Sequence, residues 1–507
     1  MKQTKVLLIY PPPQLMPLEA PRPDGSLGPL YLSSALQREG VTADILDASV
    51  GPSGSGPKKT FYTNVMQENG LTRIGMSFEE IAEHVLRGDY DFVGISSNFT
   101  PQTRMAFETA RAIKKVLPDI PIFAGGVNAR ALYERFLRTG LFDAVCLSEG
   151  EKIFPRMVSS LTPEELAAVP GIAFRHGEQI RMNPVNNTCF PKHLDELAMP
   201  AWEKLPFDLY DSINSTHGTD VGQQNSRYAP IMTSRGCIFN CRYCHISSEG
   251  RDSKGGNIGH LRTHSLERVI EEVERLKSLG VGRLFFEDDT LFARKDRARR
   301  IFSEVSRYGI TIANVNGVNL INLFTKDDSN QWKIDLGFID LLKSAGFTQL
   351  VFPAESGSQR ILDKYASGKV VLDKMDLTGL METLIQRGIN APVNLMIGFP
   401  DETEEEILKT VELGRRLKDA GAPYVSFFIP IPFPGSALYN LAIAGGYLQE
   451  DFDTDIMNWK VPVMINTTVR PERLTEIRDR ANDSINDPNF RARAFKKTIA
   501  HRWASGD

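Results

Sequence analysis

Short apolar runs alternate with amphipathic stretches along the first 165 residues. Val6-Leu7-Leu8-Ile9-Tyr10 ends at Pro11-Pro12-Pro13, as a buried parallel strand does at its carboxyl end. Residues 28–40 then carry Leu30, Leu32, Ala35 and Leu36 at helical spacing and stop at a glycine. The alternation continues with strand 43–46, a Gly/Ser-rich insertion around 50–58, helix 78–86, strand 92–96, helix 103–116, strand 120–124, helix 129–137 and strand 144–147. Five strands alternating with helices predict an α/β domain over 1–165 built on a doubly wound parallel sheet. Such sheets take ligands at the carboxyl ends of their strands, beside the topological switch point.

A second alternation runs from 226 to 435, with strands over 228–233, 283–287, 311–315, 349–353, 393–397 and 424–429. Helices fall over 266–279, 294–308, 338–345, 359–364, 375–387 and 404–420, so six βα units predict a partial (βα)6 barrel with its chemistry at the strand carboxyl ends. Residues 166–225 form the join: 171–182 alternates about His-Gly-Glu as a small hairpin with His176 solvated at its turn, and 214–225 is polar and irregular. The last stretch, 436–507, reads as a small, mainly helical region with helices over 438–443 and 472–485. Its Arg470, Arg473, Arg478 and Arg480 alternate with Glu472, Glu476 and Asp479, which favours a solvated helical face over an anion site. Tyr447 and Trp459 are core candidates.

Composition changes this picture little. A net charge of -4, from 59 basic and 63 acidic residues, leaves no electrostatic footprint for nucleic acid. No apolar run approaches the ~20 residues of a membrane span, and the run at 6–10 is too short for a secretion signal. Five cysteines, three of them in one loop, argue for a reducing, cytoplasmic setting and a metal site over disulfides.

That loop is Cys237-Ile238-Phe239-Asn240-Cys241-Arg242-Tyr243-Cys244. Three thiolates so spaced can hold three irons of a cubane and leave the fourth iron open. Structural zinc is the competing reading, but zinc wants four ligands in a closed tetrahedron. Cys146 and Cys189 lie isolated upstream, Cys189 as an inert buried thiol, and His245 is badly placed next to Cys244. The spacing, with Tyr243 before the last cysteine, resembles the radical S-adenosylmethionine (SAM) signature, which implies a 4Fe-4S cluster whose fourth iron SAM chelates. The strand ends that follow agree in order. Glu287-Asp288-Asp289-Thr290 offers Asp288 and Asp289 to a cationic ammonium or sulfonium, although charged strand ends are common on any surface. Asn316 brings an amide, Glu355-Ser356-Gly357-Ser358 resembles the family's ribose-contacting motif, and Asn394 opens a stretch that resembles the motif beside adenine. Residues 430–436 resemble the closing P-x-P-G-[ST] segment.

In the first domain the strand ends are Pro11-Pro12, Ser96-Ser97-Asn98, Gly125-Gly126-Val127-Asn128 and Ser148-Glu149-Gly150-Glu151. Small and glycine-rich, they allow close backbone approach to a large ligand, although a Gly-Gly turn is equally a plain strand-to-helix turn. Upstream of the cysteine loop, the pairing of Gly-Gly with a later S-E-G-E resembles the flavodoxin-like cobalamin-binding domain of one radical SAM subfamily. None of the eight histidines stands in a D-x-H-x-x-G pattern, and Asn128 stands where the subfamily often has histidine, so the resemblance implies cobalt without a histidine lower ligand. It further implies a class B radical SAM methylase-like enzyme. Such an enzyme moves methyl from methylcobalamin to an unactivated carbon of a small-molecule or natural-product substrate through a 5′-deoxyadenosyl radical, with flavodoxin or ferredoxin as electron donor. The alternatives are a non-methylating cyclisation or rearrangement, and a SAM or corrinoid sensor without turnover.

Overall fold

The structure, a computed structural model, describes residues 3–15, 25–56, 60–160, 162–213, 226–250, 253–449, 451–458 and 460–488. Trp459 and the polar stretch 214–225 lie outside the described residues. Strands β1 (Lys5–Tyr10), β2 (Thr42–Asp47), β3 (Phe92–Ser96), β4 (Ile122–Gly125) and β5 (Ala144–Cys146) pair in parallel in the order 2-1-3-4-5. This is a flavodoxin-like order, and it puts the switch point between β1 and β3. Alternate residues of each strand face opposite sides. Leu7, Ile9, Val93 and Ile95 pack with helices Phe78–Gly88 and Thr103–Val116, while Val6, Leu8, Phe92 and Phe123 pack against helices Leu27–Arg38 and Gly150–Met157.

The expected five strands are extended to seven among the described residues. The hairpin β6 (Ile172–His176) and β7 (Gln179–Met182), assigned from the sequence to the join, pairs antiparallel along β5. It covers a three-residue strand that would otherwise stand as an open edge. His176 is half-buried and faces Glu164 at 3.4 Å. The expected helix over 129–137 is broken at Leu132 into Val127–Ala131 and Tyr133–Arg138. Gln14–Leu15, Asn64–Met66 and Thr72–Ile74 form a small antiparallel sheet that periodicity did not indicate.

The second alternation forms β8 (Tyr228–Ile231), β9 (Arg283–Phe286), β10 (Thr311–Asn314), β11 (Phe347–Leu350), β12 (Phe352–Glu355), β13 (Val393–Met396) and β14 (Val425–Phe428). All are parallel, as β8-β9-β10-β11 and β12-β13-β14. The fourth expected strand is therefore two segments, with Val351 between them and Pro353 unable to donate to the ladder. Leu350 and Phe352 still donate backbone N–H to Asn390 and Pro392, each at 2.9 Å, so the two halves stay joined.

Helix Pro471–Ile485 covers the edge strand β14, where the Asn486 amide bonds both Val425 N–H and Val425 C=O. Arg473, on the solvated face, pairs with Glu404 and Glu476, whereas Arg478 pairs with Asp479 but is largely withdrawn from water, at 11% side-chain exposure, so the solvated face expected of all four arginines does not include it. Tyr447 is half-buried against the apolar cluster under helix Ala437–Ala444. Among the described residues no helix is long and apolar enough to cross a membrane.

Candidate active site

The cysteine loop leaves β8 through a two-residue ribbon, Ser234–Arg235 paired antiparallel with Arg262–Thr263. Gly236 turns the chain with φ +85°, and a Cβ there would lie 2.4 Å from the His260 carbonyl. Its N–H donates to Asp289 Oδ2 at 2.8 Å, and Cys237 N–H donates to Gly259 O at 3.1 Å. The loop is held from its other side by the segment after helix Gln359–Tyr365. Arg242 N–H donates to Tyr365 O at 2.9 Å and Asn240 N–H to Ser367 Oγ at 3.1 Å. Burial pushes the Cys237, Cys241 and Cys244 thiols up, Cys244 to about 12, and the buried Lys369 ammonium pulls Cys237 and Cys241 back.

The chemistry of this donor set suits an iron–sulfur cubane, although among the described residues no three such side chains are drawn together closely enough to hold a metal ion. Three thiols share one loop, Phe239 N–H points to Cys237 Sγ at 3.5 Å, and a buried cation offsets the charge that thiolates would bring. Lys369 was not apparent from the sequence, since a lone lysine after Ser-Gly carries no motif of its own. Its Nζ lies 2.7 Å from Glu355 Oε1, which also accepts from Tyr243 OH at 2.9 Å. Glu355 has φ +64°, a left-handed backbone rare for a non-glycine residue and typical of functional sites.

The other expected SAM contacts divide. Asp288 is fully buried, and its carboxylate accepts from Thr233 N–H, Thr233 Oγ and Ser234 Oγ at 2.6–3.1 Å, so it ties β8 to β9 instead of facing outward. Asp289 is exposed, yet the surrounding protein pushes its carboxyl up to about 7. Ser356 is fully buried against Thr410 Oγ1 at 3.1 Å, which leaves its hydroxyl turned away from the strand ends. Asn316 is exposed and donates to Glu287 O at 3.2 Å, and Asn394 is half-buried on β13. Gly398 and Phe399 both donate N–H to the buried Glu402 carboxylate, at 2.6 and 3.1 Å. Ser436 caps helix Ala437–Ala444, and Leu438 N–H donates to Arg242 O at 2.7 Å, so the C-terminal region reaches the cysteine loop directly.

In the first sheet, Pro11 and Pro12 are buried at the end of β1, and Ser96 and Asn98 are half-buried at the end of β3. After β4, Gly126 has φ +99°, and a Cβ would meet Asn98 Oδ1 at 2.4 Å and Ser97 O at 2.5 Å. Asn128 donates through Nδ2 to Ser97 Oγ and Thr103 Oγ1 at 2.8 and 2.9 Å, while its buried Oδ1 has no partner among the described residues. Gly125 and Val127 flank this turn, half-buried. A close-packed turn with an orphaned acceptor fits a large ligand that brings donors to it. Glu149 and Glu151 face the other way, with their carboxylates on Arg262 and Arg235 of the ribbon beside the cysteine loop. Ser148 Oγ donates to Gly255 O at 2.7 Å and Arg130 pairs with Glu249, so the stretch after Cys244 also rests on the carboxyl edge of the first sheet. Cys146 and Cys189 are buried free thiols, and burial pushes Cys146 up to about 12.

Residues 25–158 match the B12 binding domain, and residues 231–414 match the Radical SAM superfamily. The chain thus carries a B12 binding domain followed by a Radical SAM superfamily domain. It is 28% identical over 483 residues to an uncharacterised methyltransferase of Pyrococcus horikoshii, covering 94% of this chain and 90% of that protein. It is 26% identical over 494 residues to cytidylyl-2-hydroxyethylphosphonate methyltransferase of Streptomyces wedmorensis, covering 90% and 85%. Its fold resembles the radical S-adenosylmethionine methyltransferase TsrM of Kitasatospora setae, solved with cobalamin and a [4Fe-4S] cluster bound, with a TM-score of 0.59 at 16% identity over 87% of this chain and 78% of that one.

Proposed function

We propose that the protein is a cobalamin-dependent radical SAM methyltransferase that methylates an unactivated carbon of a small molecule. The observation that carries this reading is the seating of the cysteine loop, with the stretch that follows it, on the carboxyl edge of the first sheet, where an open iron would face a corrinoid. When bound, the cluster supplies the electron that cleaves SAM, and the corrinoid supplies the methyl group.

On this reading Cys237, Cys241 and Cys244 each hold one iron, and Tyr243, Glu355 and Lys369 keep the loop in place. Asp289 is the carboxylate offered to the cationic groups of SAM, and Asn316, Asn394 and the backbone beside Ser356 are the polar groups offered to the nucleoside. Asp288 supports them from behind. The turns at 11–12, 96–98 and 125–128 carry the corrinoid, with the backbone of Gly150 beside them. The C-terminal region closes the site against water, and a flavodoxin or ferredoxin brings the electron.

The test is anaerobic incubation of the loaded protein with methyl-labelled SAM and extracts of small molecules. The expected products are 5′-deoxyadenosine, methionine, S-adenosylhomocysteine and a labelled small molecule. Deoxyadenosine formed without homocysteine would keep the radical step and overturn methyl transfer in favour of a rearrangement or cyclisation.

A further inference from the structure

The ribbon at the base of the cysteine loop sets Arg235 directly opposite Arg262. Like charges so placed repel, and both guanidiniums are largely withdrawn from water, at 13% and 8% side-chain exposure. Their counter-charges come from the first domain. Glu149 accepts from both arms of Arg262, at 2.9 and 2.6 Å, and lies 3.4 Å from Arg235. Glu151 accepts from Arg235 at 2.6 Å. The Arg235 guanidinium also lies over the ring of Tyr31, another residue of the first domain, 4.9 Å from its centroid. Burial alone would raise the Glu149 carboxyl, but the guanidiniums of Arg235 and Arg262 outweigh it and hold the group below its ordinary range. Two acids and two bases thus close a buried quartet between the domains, and the planar fork of arginine fixes its geometry as well as its charge.

We propose that Glu149 and Glu151 are positioning residues for the reaction: by holding Arg235 and Arg262 they set the separation between the cluster and the corrinoid. This rests on the function proposed above. The ribbon runs straight into Gly236 and Cys237, so any shift of Arg235 carries the first iron ligand with it. Glu149 and Glu151 flank Gly150 at the end of β5, on the edge where the corrinoid would lie. Reactive groups tolerate little error, and a misplacement of about 1 Å can cost on the order of 100-fold in rate. An ordinary interdomain ion pair would change stability and leave that separation alone.

The test uses the full-length protein loaded with iron, sulfide and hydroxocobalamin, reduced so that the cluster and cob(II)alamin are both paramagnetic. Their dipolar coupling in the EPR spectrum falls with the cube of their separation. Glu151→Gln is the informative variant, because Arg235 keeps Glu149 and the fold keeps most of the quartet. The expected result is full occupancy of both cofactors, a shifted or broadened coupling, and methyl transfer from SAM to the reduced corrinoid lowered on the order of 100-fold. Reductive cleavage of SAM to deoxyadenosine should stay near the wild-type rate. An unchanged coupling, or loss of either cofactor from Glu151→Gln, overturns the positioning role. A wild-type protein that takes up no corrinoid or no cubane overturns the underlying function instead.

Discussion

Lys369 and Glu355 form a buried pair in which each group depends on the other, because removing one partner strands a charge in a medium that solvates it poorly. Lys369→Met is therefore expected to lower the unfolding free energy by about 3 to 5 kcal/mol, read by denaturant titration, with Lys369→Arg recovering part of the loss. A Met variant as stable as the parent would show that the pair is not a tie. Glu402 behaves in the opposite sense. It is fully buried, one oxygen has no partner among the described residues, and burial pushes the carboxyl up to about 8. The folded chain then holds a proton that the unfolded chain releases near pH ~4.3, so this group's contribution to stability falls as pH rises from there to about 8. Glu402→Gln should remove that slope. Melting temperatures compared at about pH 6.5 and about pH 9 should show the variant gaining on the parent at the higher pH; an equal difference at both would contradict the assignment.

At the scale of elements, the turn between ribbon and cluster loop is set by one glycine. Gly236→Ala would place a Cβ 2.4 Å from the His260 carbonyl at φ +85°, so Cys237 or the 259–260 backbone must move. The expected outcome is iron content well below that of the parent after reconstitution, with corrinoid uptake retained; full iron content would show that the turn is not needed. The strands and helices on either side were readable because buried parallel strands are continuous apolar runs and their helices carry a single stripe. What escaped is instructive. The 172–182 hairpin alternates like any exposed ribbon, and its period does not say that it caps the β5 edge. The break at Val351 falls within one apolar run, where the chain passes from the β8-β9-β10-β11 sheet to the β12-β13-β14 sheet. Asp288 and Asp289 looked equivalent as a pair, although adjacent residues at a strand end face opposite ways and only one of them could be turned outward.

For the whole molecule, the stretch at 454–455 is tied back onto the first domain. Asp455, nearly fully buried, accepts from Arg104 N–H at 2.9 Å and from Gln14 Nε2 at 3.3 Å, and Thr454 accepts from Arg135 at 2.8 Å. A cleft of about 420 Å³ opens beside them, lined by Arg104, Phe107, Tyr439 and Phe452 among others. Asp455→Ala removes the acceptor and should cost about 1 to 3 kcal/mol. Faster amide exchange at Arg104 and easier proteolysis around 451–458 are the expected signs, and parent-like protection at both would show that the tie is dispensable. Such long-range ties were not legible in the sequence, since no local pattern links residue 14 or 104 to residue 455. The cysteine spacing, by contrast, named the cluster ligands at once, because that chemistry is written within eight consecutive residues. The claim on which the rest depends is that these three thiolates hold a cubane with one iron left for SAM. Its most direct test is the EPR spectrum of the full-length protein, reconstituted anaerobically with iron and sulfide and reduced, before and after adding SAM. A cubane signal that changes when SAM is added, and that is lost in Cys241→Ala, is the predicted result; no cubane, or a spectrum indifferent to SAM, would contradict it.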